Sequence, residues 1–476
     1  MRCATILLLL ALPLVLCGDE LSDFLQQAEK ANPRVQAALQ RAEQARQQIL
    51  ETEEFLDSSL YLAAGRTEED RDMPLEPPHY NQLTGNSLEL QGGVEIPLAQ
   101  GAYVTTGFST RKLYEDSVYG HLYQNLATLQ LSIPLWRDRG FAVYSHRLSA
   151  ARADYEQALC NLLAVKQDLR HQLERAYIAA YETMATCRVK EEATERFRRL
   201  VKEAKELARL KTIPEYQVQE TELELQIGLD DEDAAHNAHQ LALVALATLL
   251  GSQENLELAG QPQALIDACT LVPEQPQTPP RDQLLAHRGD TAALACQIRA
   301  ARAQAERYEE EAKDSLTLSA GLSYLGESEK YDLHGYRKRT SDNLEGEISL
   351  TWRRSFSHRG ARARQERFQA QVSELLADLS QAELNAASQL RQAELSCLSA
   401  RRRIDIVRQG IAAAEETVRA ETQRFQLGEG SSKAVLDAQK NLTDILQRLS
   451  NASADLLRAY ADFRHAAGYG GEGLIP

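Results

Sequence analysis

The sequence predicts a mainly α-helical protein with a β-barrel portion, built from a duplicated unit of helix, strands, long helix and second helix. Three observations lead to this fold class. The segment Leu60–Gly65 (LYLAAG) returns as Leu316–Gly321 (LTLSAG), and the only two tryptophans, Trp136 and Trp352, each end a strand-like run. Long stretches without proline follow both tryptophans, and they indicate helices, because proline is excluded from helix interiors.

The spacing between the repeated segments indicates where the two halves differ. The tryptophans are 352 − 136 = 216 residues apart, whereas Leu60 and Leu316 are 316 − 60 = 256 apart. The first half therefore carries about 40 additional residues between its first and last strand (256 − 216). Because this period is far too long for a solenoid, the repeat is interpreted as a duplicated domain.

The proline-free stretches define two very long helices at 141–209 and 361–427. Each spans roughly 100 Å at about 1.5 Å per residue, which favours coiled-coil packing. A short break and a returning helix follow each one. The predicted helices are, in chain order, 21–55, 141–209, 215–250, 283–313, 361–427 and 433–467.

Two short breaks separate each long helix from its returning helix. The first, Leu210–Pro214 (LKTIP), places a proline where the next helix begins. In the second, Leu427–Ser432 (LGEGSS), glycine ends one helix and serine caps the next. The two breaks therefore predict two tight helical turns at equivalent positions of the two halves.

Apolar and polar residues alternate in runs of about nine to eleven residues, the length of a tilted transmembrane strand. The predicted strands lie at about 56–66, 87–97, 102–112, 124–136, 315–325 and 344–354. Their polar positions carry Glu and Gln, as a water-filled lumen would, and Trp136 and Trp352 stand at strand ends as interfacial aromatics. A soluble sheet with one hydrated face is the alternative; the barrel is favoured.

Composition excludes several classes of function. The net charge of −16 argues against a nucleic-acid partner, which needs a basic face. No nucleophile triad, phosphate-binding glycine loop or paired-carboxylate motif is present, so no enzyme, cofactor or metal is predicted. His236 and His239, three residues apart on an acidic helix, are more typical of solvated surface than of a metal site.

The remaining segments complete the domain organisation. Residues 1–18 resemble a signal peptide, and Leu14–Cys17 (LVLC) resembles a lipobox that would make Cys17 a lipidation site. No later run of about 18 apolar residues predicts a transmembrane helix. The domain bounds are 19–251 for the first repeat, 252–282 for a proline-rich linker, 283–468 for the second repeat and 469–476 for a tail.

Several motifs resemble those of the TolC-like outer-membrane efflux protein family. Arg424–Gln439 (RFQLGEGSSKAVLDAQ) matches its pattern of an aromatic residue, glycine, serine and Val-Leu-Asp-Ala. Ala31–Pro33 (ANP) is similar to the family's Asn-Pro near the first helix. Leu131–Leu135 (LSIPL), followed by Gly140, resembles its strand-to-helix junction. The order of these motifs extends over nearly the whole chain after the signal.

The resemblance implies a homotrimer with one shared transmembrane barrel and one α-helical tunnel. Such a protein is the passive exit duct of a tripartite efflux pump or type I secretion system. It lies in the outer-membrane lipid, extends through the periplasm and meets a periplasmic adaptor, and through it an inner-membrane pump. The expected adaptor-contacting residues are Leu210, Lys211, Thr212, Leu427, Gly428 and Gly430. The family usually has four strands per chain, so the extra segment forms either two more strands or loops.

The resemblance also suggests an entrance gate. Asp437 matches an aspartate that lines the entrance constriction in the family, and Glu220 is its first-repeat counterpart (437 − 217). The family's second acidic position is here Ala434, beside Lys433. An ordinary solvated helix face is the alternative for both carboxylates. The competing function is a non-conducting coiled-coil envelope protein, but a pure coiled coil has no use for alternating strands and interfacial tryptophans.

Overall fold

The computed structural model describes residues 18–72, 82–98, 101–115, 121–252, 256–274, 280, 287–328, 344–354 and 356–469. These residues belong to two compact units. The helical unit combines the chain up to Ala42, Gln157–Ala295 and the chain from Asp378. The sheet unit combines Glu43–Glu156 and Cys296–Ala377. Each unit takes segments from both repeats, so the two repeats are not two separately folded domains.

Eight α-helices and six strands are named here in chain order. The helices are α1 (Gly18–Ala31), α2 (Pro33–Glu53), α3 (Ala142–Arg209), α4 (Glu215–Leu250), α5 (Ala264–Leu271), α6 (Gly289–Glu311), α7 (Arg359–Gln426) and α8 (Ser432–Ala466). The strands are β1 (Ser59–Asp72), β2 (Gln82–Leu98), β3 (Ala102–Glu115), β4 (His121–Pro134), β5 (Ser315–Ser328) and β6 (Leu344–Arg353). Among the helices of the described residues, none contains a stretch that is both apolar and long enough to cross a membrane.

The long helices match each other residue for residue. Helices α3 and α7 are each 68 residues long and begin 359 − 142 = 217 residues apart. Their ends, and those of α4 and α8, lie within two residues of the positions predicted from the sequence. Because proline is excluded from helix interiors, the proline-free stretches already bounded these elements closely.

The helix expected at 21–55 is wrong as a single element, since the chain breaks at Asn32 between α1 and α2. A residue before proline is disfavoured in the α conformation, and Pro33 is well suited to a first helical position. The Asn32 side-chain oxygen accepts the Arg34 amide at 2.9 Å. A short 3₁₀ turn at Glu54–Leu56 then ends this segment, so β1 begins at Ser59 rather than at 56.

The six strands form one antiparallel sheet in the order β1-β2-β3-β4-β5-β6. The additional hairpin of the first half, β2 and β3, is therefore part of the sheet, and the question of strands or loops is answered in favour of six strands. Five strands extend beyond the predicted runs at one end or both, and β2 has 17 residues. Strand β6 instead ends one residue before its predicted end. The loop residues between them, and the signal segment with Cys17, lie outside the described residues.

The pairing register places most of the apolar residues of the six strands on one face, although the paired Leu126 and Leu325 lie on the other. Leu60 pairs with Val94, Leu129 with Leu322, and each pair lies on the apolar face. The face is open: Leu62 is 80% exposed and Ile348 is 81% exposed. The opposite face carries polar side chains such as Glu347, whose Cα partner is Gly321. In the described residues no layer covers the apolar face, which a soluble sheet with one hydrated face would require.

The helical unit has a continuous core along α3, where Leu173, Tyr177 and Tyr181 are fully buried. Helix α5 contributes Leu265, which is also fully buried. This helix lies within the segment predicted only as a proline-rich linker. The proline-free apolar run Ala264–Leu271 (ALIDACTL) was the signal for it.

Equivalent contacts anchor the returning helix of each repeat. The Asn32 side chain donates to the Leu249 carbonyl at 3.2 Å, near the end of α4. The Arg288 guanidinium donates to the Ala466 carbonyl at 3.2 Å, at the end of α8. The donors are 288 − 32 = 256 residues apart and the acceptors 466 − 249 = 217 apart, the same offsets as in the sequence repeat. The repeat is therefore preserved in the capping of individual carbonyls.

A histidine pair lies between α3 and α8. The rings of His171 and His465 stack at 4.4 Å, with an interplanar angle of 21°. His171 also meets Asp462 at 3.3 Å, and its side chain is only 18% exposed. Burial, followed by the neighbouring His465, lowers the pKa of His171, although Asp462 opposes the shift and Arg175 adds to it. The interface between the two helices thus favours a neutral His171.

We expect acidification to weaken this interface through His171. Because its folded pKa lies below its unfolded value, the unfolded chain binds the proton more tightly between the two values. Its stabilising contribution is complete above the unfolded pKa of about 6.5 and falls as the pH is lowered through the folded value. His171→Asn should reduce the fall in melting temperature between about pH 7.5 and pH 5. His236→Asn, at a side chain on α4 that is 50% exposed, is the matched control, and an equal change of the pH profile in both variants would contradict the role of His171.

Candidate functional site

The two helical turns predicted as adaptor contacts share one backbone design. The Lys211 amide donates to the Ala208 carbonyl at 2.9 Å, and at the equivalent place Gly428 donates to Phe425 at 3.0 Å. Both donors have the left-handed conformation, with φ of 60° at Lys211 and 79° at Gly428. Thr212 and Glu429 complete the pattern by donating to carbonyls five residues earlier, at 2.9 Å each. Each long helix therefore ends in a Schellman motif.

The second turn is followed by a serine cap, as the sequence predicts. The Ser431 hydroxyl accepts the Ala434 amide at 3.2 Å at the start of α8. Pro214 occupies the corresponding cap position of α4, just before the first helical residue, and has no side-chain hydrogen bond. The two turns therefore use different start signals after the same stop signal.

A compact apolar cluster holds the two turns together. Phe425 and Val435 are fully buried in it, and the first turn contributes Ile213. The remaining buried members are Ala193, Phe197, Leu200, Ala204, Val218 and Leu436. A methyl group on Gly428 would come within 2.9 Å of the Thr212 methyl carbon, which shows how closely the turns approach. This end of the helical unit is a packed structure, not a pair of free loops.

The two candidate gate carboxylates have different surroundings. Asp437 is exposed on α8, between buried Leu436 and Ala438. Glu220, on α4, accepts a hydrogen bond from the Ser432 hydroxyl at 3.1 Å. Ser432 is fully buried at the start of α8. The two carboxylates therefore differ in their partners: Glu220 binds the Ser432 hydroxyl, whereas Asp437 lies exposed on α8.

A polar groove of about 250 Å³ lies beyond this turn cluster, between α3, α4 and α8. Two ion pairs cross it: Lys190 to Asp231 at 2.7 Å and Lys440 to Glu224 at 2.8 Å. Sequence reasoning missed these pairs and the Glu220–Ser432 bond, because a single sequence gives no signal that joins residues so far apart along the chain. The Lys440–Glu224 pair and the Glu220–Ser432 bond connect the returning helices α4 and α8, whereas the Lys190–Asp231 pair joins α3 to α4 within the first repeat.

The two tryptophans stand at the same end of the sheet. Both are more than half exposed. The Leu135 amide, next to Trp136, donates to the Leu316 carbonyl at 2.7 Å. Leu316 is in turn the Cα partner of Trp352 on β6. The predicted interfacial positions therefore lie at the same end of the sheet, with Trp352 on the apolar face.

The first strand-to-helix junction is shaped by features that the sequence reasoning missed. The Asp138 carboxylate accepts the Val143 amide at 2.9 Å and so caps the start of α3. Phe141, with φ of 59°, contacts Phe55 and Tyr103 at ring distances of 5.9 and 5.6 Å. Asp five residues before a helical amide was the available signal for the cap. The junction is therefore a fixed corner in the sheet unit.

His236 and His239, the two histidines weighed as metal ligands in the sequence analysis, contact different partners. His239 lies 3.1 Å from the Thr183 hydroxyl, whereas His236 lies 3.4 Å from a Glu191 carboxylate oxygen. The cysteines Cys187, Cys269, Cys296 and Cys397 are buried. These positions are consistent with packing and solvated surface.

Comparison with known proteins shows which family profile and which solved folds the chain resembles. Residues 281–469 match the sequence profile of the outer membrane efflux protein family. This match covers the second repeat, and it confirms the resemblance to TolC-like proteins drawn from the sequence motifs. No protein of curated function matches the chain.

Solved structures match nearly the whole chain at low identity. CusC matches with a TM-score of 0.72 and 17% identity, over 95% of this chain and 92% of CusC. OprN, an outer-membrane channel, matches with a TM-score of 0.69 and 16% identity, over 96% of this chain and 91% of OprN. VceC, an outer membrane protein of Vibrio cholerae, matches with a TM-score of 0.67 and 18% identity, over 95% of this chain and 97% of VceC. The fold is therefore that of these outer-membrane channels.

The left-handed turn residues give a test of the turn geometry. Lys211→Gly should raise the free energy of unfolding by about 1 kcal/mol, because glycine has no Cβ penalty at positive φ. Gly428→Ala should lower it by about 1–2 kcal/mol through the same penalty and the contact with Thr212. Urea or thermal unfolding measures both. Lys211→Ala, which removes the charge but keeps a Cβ, should give no comparable gain; an equal gain would contradict the backbone explanation.

Proposed function

We propose that the protein is the outer-membrane exit duct of a tripartite efflux pump or type I secretion system, and that it acts as a homotrimer. The observation that carries this proposal is the open six-stranded sheet with a continuous exposed apolar face. Cargo would pass through it without chemical change. The similarity to outer-membrane channels and the efflux-family match of the second repeat support the same assignment.

The sheet of a single chain does not close. β1 and β6 are its edges, and within the described residues neither outer edge has a partner strand. In lipid an unpaired edge costs several kcal/mol per unsatisfied group, so a spanning sheet must close. Three chains supply 3 × 6 = 18 strands. Barrels of about 16–18 strands leave an aqueous channel, and here polar side chains would line it.

The helical unit is incomplete in the same way. Helix α3 is buried on more than one side, partly by α8, which it meets through the Arg458–Glu182 ion pair. Helix α7 has a single buried stripe with coiled-coil spacing. Its members are Ala386, Leu390, Ala393, Cys397, Ala400 and Ile404. The other side of α7 exposes Leu384, Leu395 and Ile406, so it lacks the second neighbour that α3 has.

The repeat identifies the missing neighbour of α7. In the chain, α8 of the second repeat covers α3 of the first. If the first repeat of one chain packs on the second repeat of the next chain in the same way, α4 of the first chain would cover α7 of its neighbour. Exposed apolar side chains on α4, Leu241 and Val244, support this arrangement. Two repeats in each of three chains would then form a closed pseudo-sixfold wall.

The two turns would form the periplasmic end that meets the adaptor. Leu210 and Leu427 are 67% and 74% exposed there, which suits contact with a second protein. We assign the contact to the six turn residues named in the sequence analysis. Cys17 would anchor the chain further if lipidated, with the protein in the outer membrane and Trp136 and Trp352 at the lipid boundary.

Near these turns, three copies of Asp437 would form an acidic ring at the entrance, which favours cations. Glu220 lies one repeat away and, through Ser432, links α4 to the start of α8. We therefore place Asp437 in the constriction and Glu220 at the joint that must move when the entrance opens.

Conductance across a planar bilayer tests the proposed function. The purified, detergent-stable trimer should open discrete channels. A stable trimer that never conducts would contradict the duct and favour the alternative of a structural coiled-coil envelope protein.

The same recording tests the entrance. Asp437→Asn should weaken block by multivalent cations, by about tenfold or more if the ring of three carboxylates dominates binding, since each lost close charge contact costs on the order of 1 kcal/mol. Glu429→Gln removes one exposed negative charge per chain from the turn itself and serves as the matched control. Block that is unchanged in Asp437→Asn, or equally weakened in both variants, would remove Asp437 from the constriction.

A further inference from the structure

An arginine cluster follows the last strand of the sheet. Between residues 353 and 367 the sequence has six arginines and one acidic residue, in a chain whose net charge is −16. All six arginine side chains are exposed. Arg364 and Arg367 lie over the rings of Tyr308 and Phe368, at 5.6 and 4.9 Å. The other four arginines of the cluster are Arg353, Arg354, Arg359 and Arg362.

The position of this cluster is locally unfavourable. Arg359 and Arg362 lie in the first turn of α7, and that turn contains no acidic residue. A helix N-terminus carries a partial positive charge, so cations there are destabilising and anions are stabilising. Positive charges placed against this rule indicate that an anion outside the chain compensates them.

The acidic side chains nearest to the cluster already have partners. Glu306 pairs with His146 at 3.1 Å, and Glu311 pairs with Arg307 at 3.0 Å. Asp314 meets His358 at 3.3 Å, and only a longer 3.9 Å approach reaches Arg354. Glu309 accepts a hydrogen bond from Gln365 on α7 at 3.3 Å. Among the described residues, no ion pair joins a carboxylate to Arg353, Arg359 or Arg362.

The first repeat has a smaller version of the same arrangement. Arg137 and Arg139 follow Trp136 and are exposed. Asp138 between them uses its carboxylate to cap α3. Because β4 and β6 both flank β5, the two arginine groups lie at the same end of the sheet. Each follows an exposed tryptophan, and the second also has the fully exposed Phe356.

We propose that these two groups form one basic collar that binds the phosphate-bearing headgroups of acidic phospholipids. The collar consists of Arg137, Arg139, Arg353, Arg354, Arg359 and Arg362. This inference rests on the proposed function, because the apolar face must lie in lipid for the collar to meet headgroups. Charge complementarity selects the acidic headgroup, and continuity with the tryptophans and the apolar face selects a lipid rather than a soluble anion. A basic group near an anionic membrane surface is worth about 1 kcal/mol, or about fivefold in affinity.

The two tryptophans allow a direct test. In a Trp136→Phe background, Trp352 is the only tryptophan and lies beside Arg353. The full-length trimer is reconstituted into phosphatidylcholine vesicles with a minor fraction of brominated lipid, carried either by phosphatidylglycerol or by phosphatidylcholine. Bromine quenches tryptophan on contact, so the ratio of the two quenching efficiencies reports which headgroup is enriched at the collar.

We expect brominated phosphatidylglycerol to quench Trp352 more strongly, with a relative association constant of about fivefold. Arg359→Gln with Arg362→Gln should clearly lower that ratio, because two of the six collar charges are removed, and raised salt should lower it too, because exposed charges are screened. Arg408→Gln with Arg419→Gln removes two exposed charges further along α7 and should retain the preference.

Three outcomes would overturn the collar. One is equal quenching by both labelled lipids, and the second is a preference that is undiminished in Arg359→Gln with Arg362→Gln. The third is a preference abolished by inorganic phosphate at constant ionic strength, which would assign the cluster to a soluble anion. Absence of quenching by either lipid has a different meaning, since it would show that the sheet is not in the membrane and would contradict the proposed function instead.

Discussion

The need to close the β-sheet and the helical wall is the constraint on which the rest of this structure depends. A sheet whose apolar face is open and whose two edges are unpaired is unstable in lipid, because each unsatisfied backbone group costs several kcal/mol there. The helical unit has the same deficit in another form, since α7 buries one stripe and exposes Leu384, Leu395 and Ile406. In the part of the chain that the structure describes, the sheet thus lacks an edge partner and the second long helix lacks a neighbour. Copies of the chain would supply both.

Because the two halves of the chain are similar, the same kind of contact can close the structure twice in each chain. The positions at which the two halves differ are also informative. Asn32 and Arg288 cap equivalent helix ends, and Lys211 and Gly428 adopt the same left-handed turn. Where the halves differ, the difference has a physical consequence. The hairpin of β2 and β3 raises the number of strands per chain to six.

The long elements could be predicted from the sequence because they depend on local rules. Proline exclusion gave both 68-residue helices almost to the residue, and period-two alternation gave all six strands. The break at Asn32 was missed, although Pro33 announced it. Helix α5 was missed because prolines on both sides suggested a linker. The first error gave a local proline signal too little weight, and the second gave such signals too much weight.

The candidate site was less predictable, because its contacts join residues far apart in sequence. The position of the turns followed from Gly428 and Ser431, whose conformational roles are local. The bond from Ser432 to Glu220 and the ion pair from Lys440 to Glu224 carried no such signal. The arginine cluster at α7 was visible as composition. Its meaning required the strand register, which places it beside Trp352, and the helix dipole, which makes it locally unfavourable.

Cross-linking between chains tests the pseudo-sixfold closure most directly. The ion pair of Arg458 with Glu182 joins α8 to α3, and one repeat away its equivalents are Leu241 on α4 (458 − 217) and Ser399 on α7 (182 + 217). Both equivalents are exposed in the single chain. In the trimer, Leu241→Cys with Ser399→Cys should be joined by a short thiol cross-linker into covalent trimers, whereas neither single variant should. A folded trimer that gives no cross-links between chains at this pair would contradict the account.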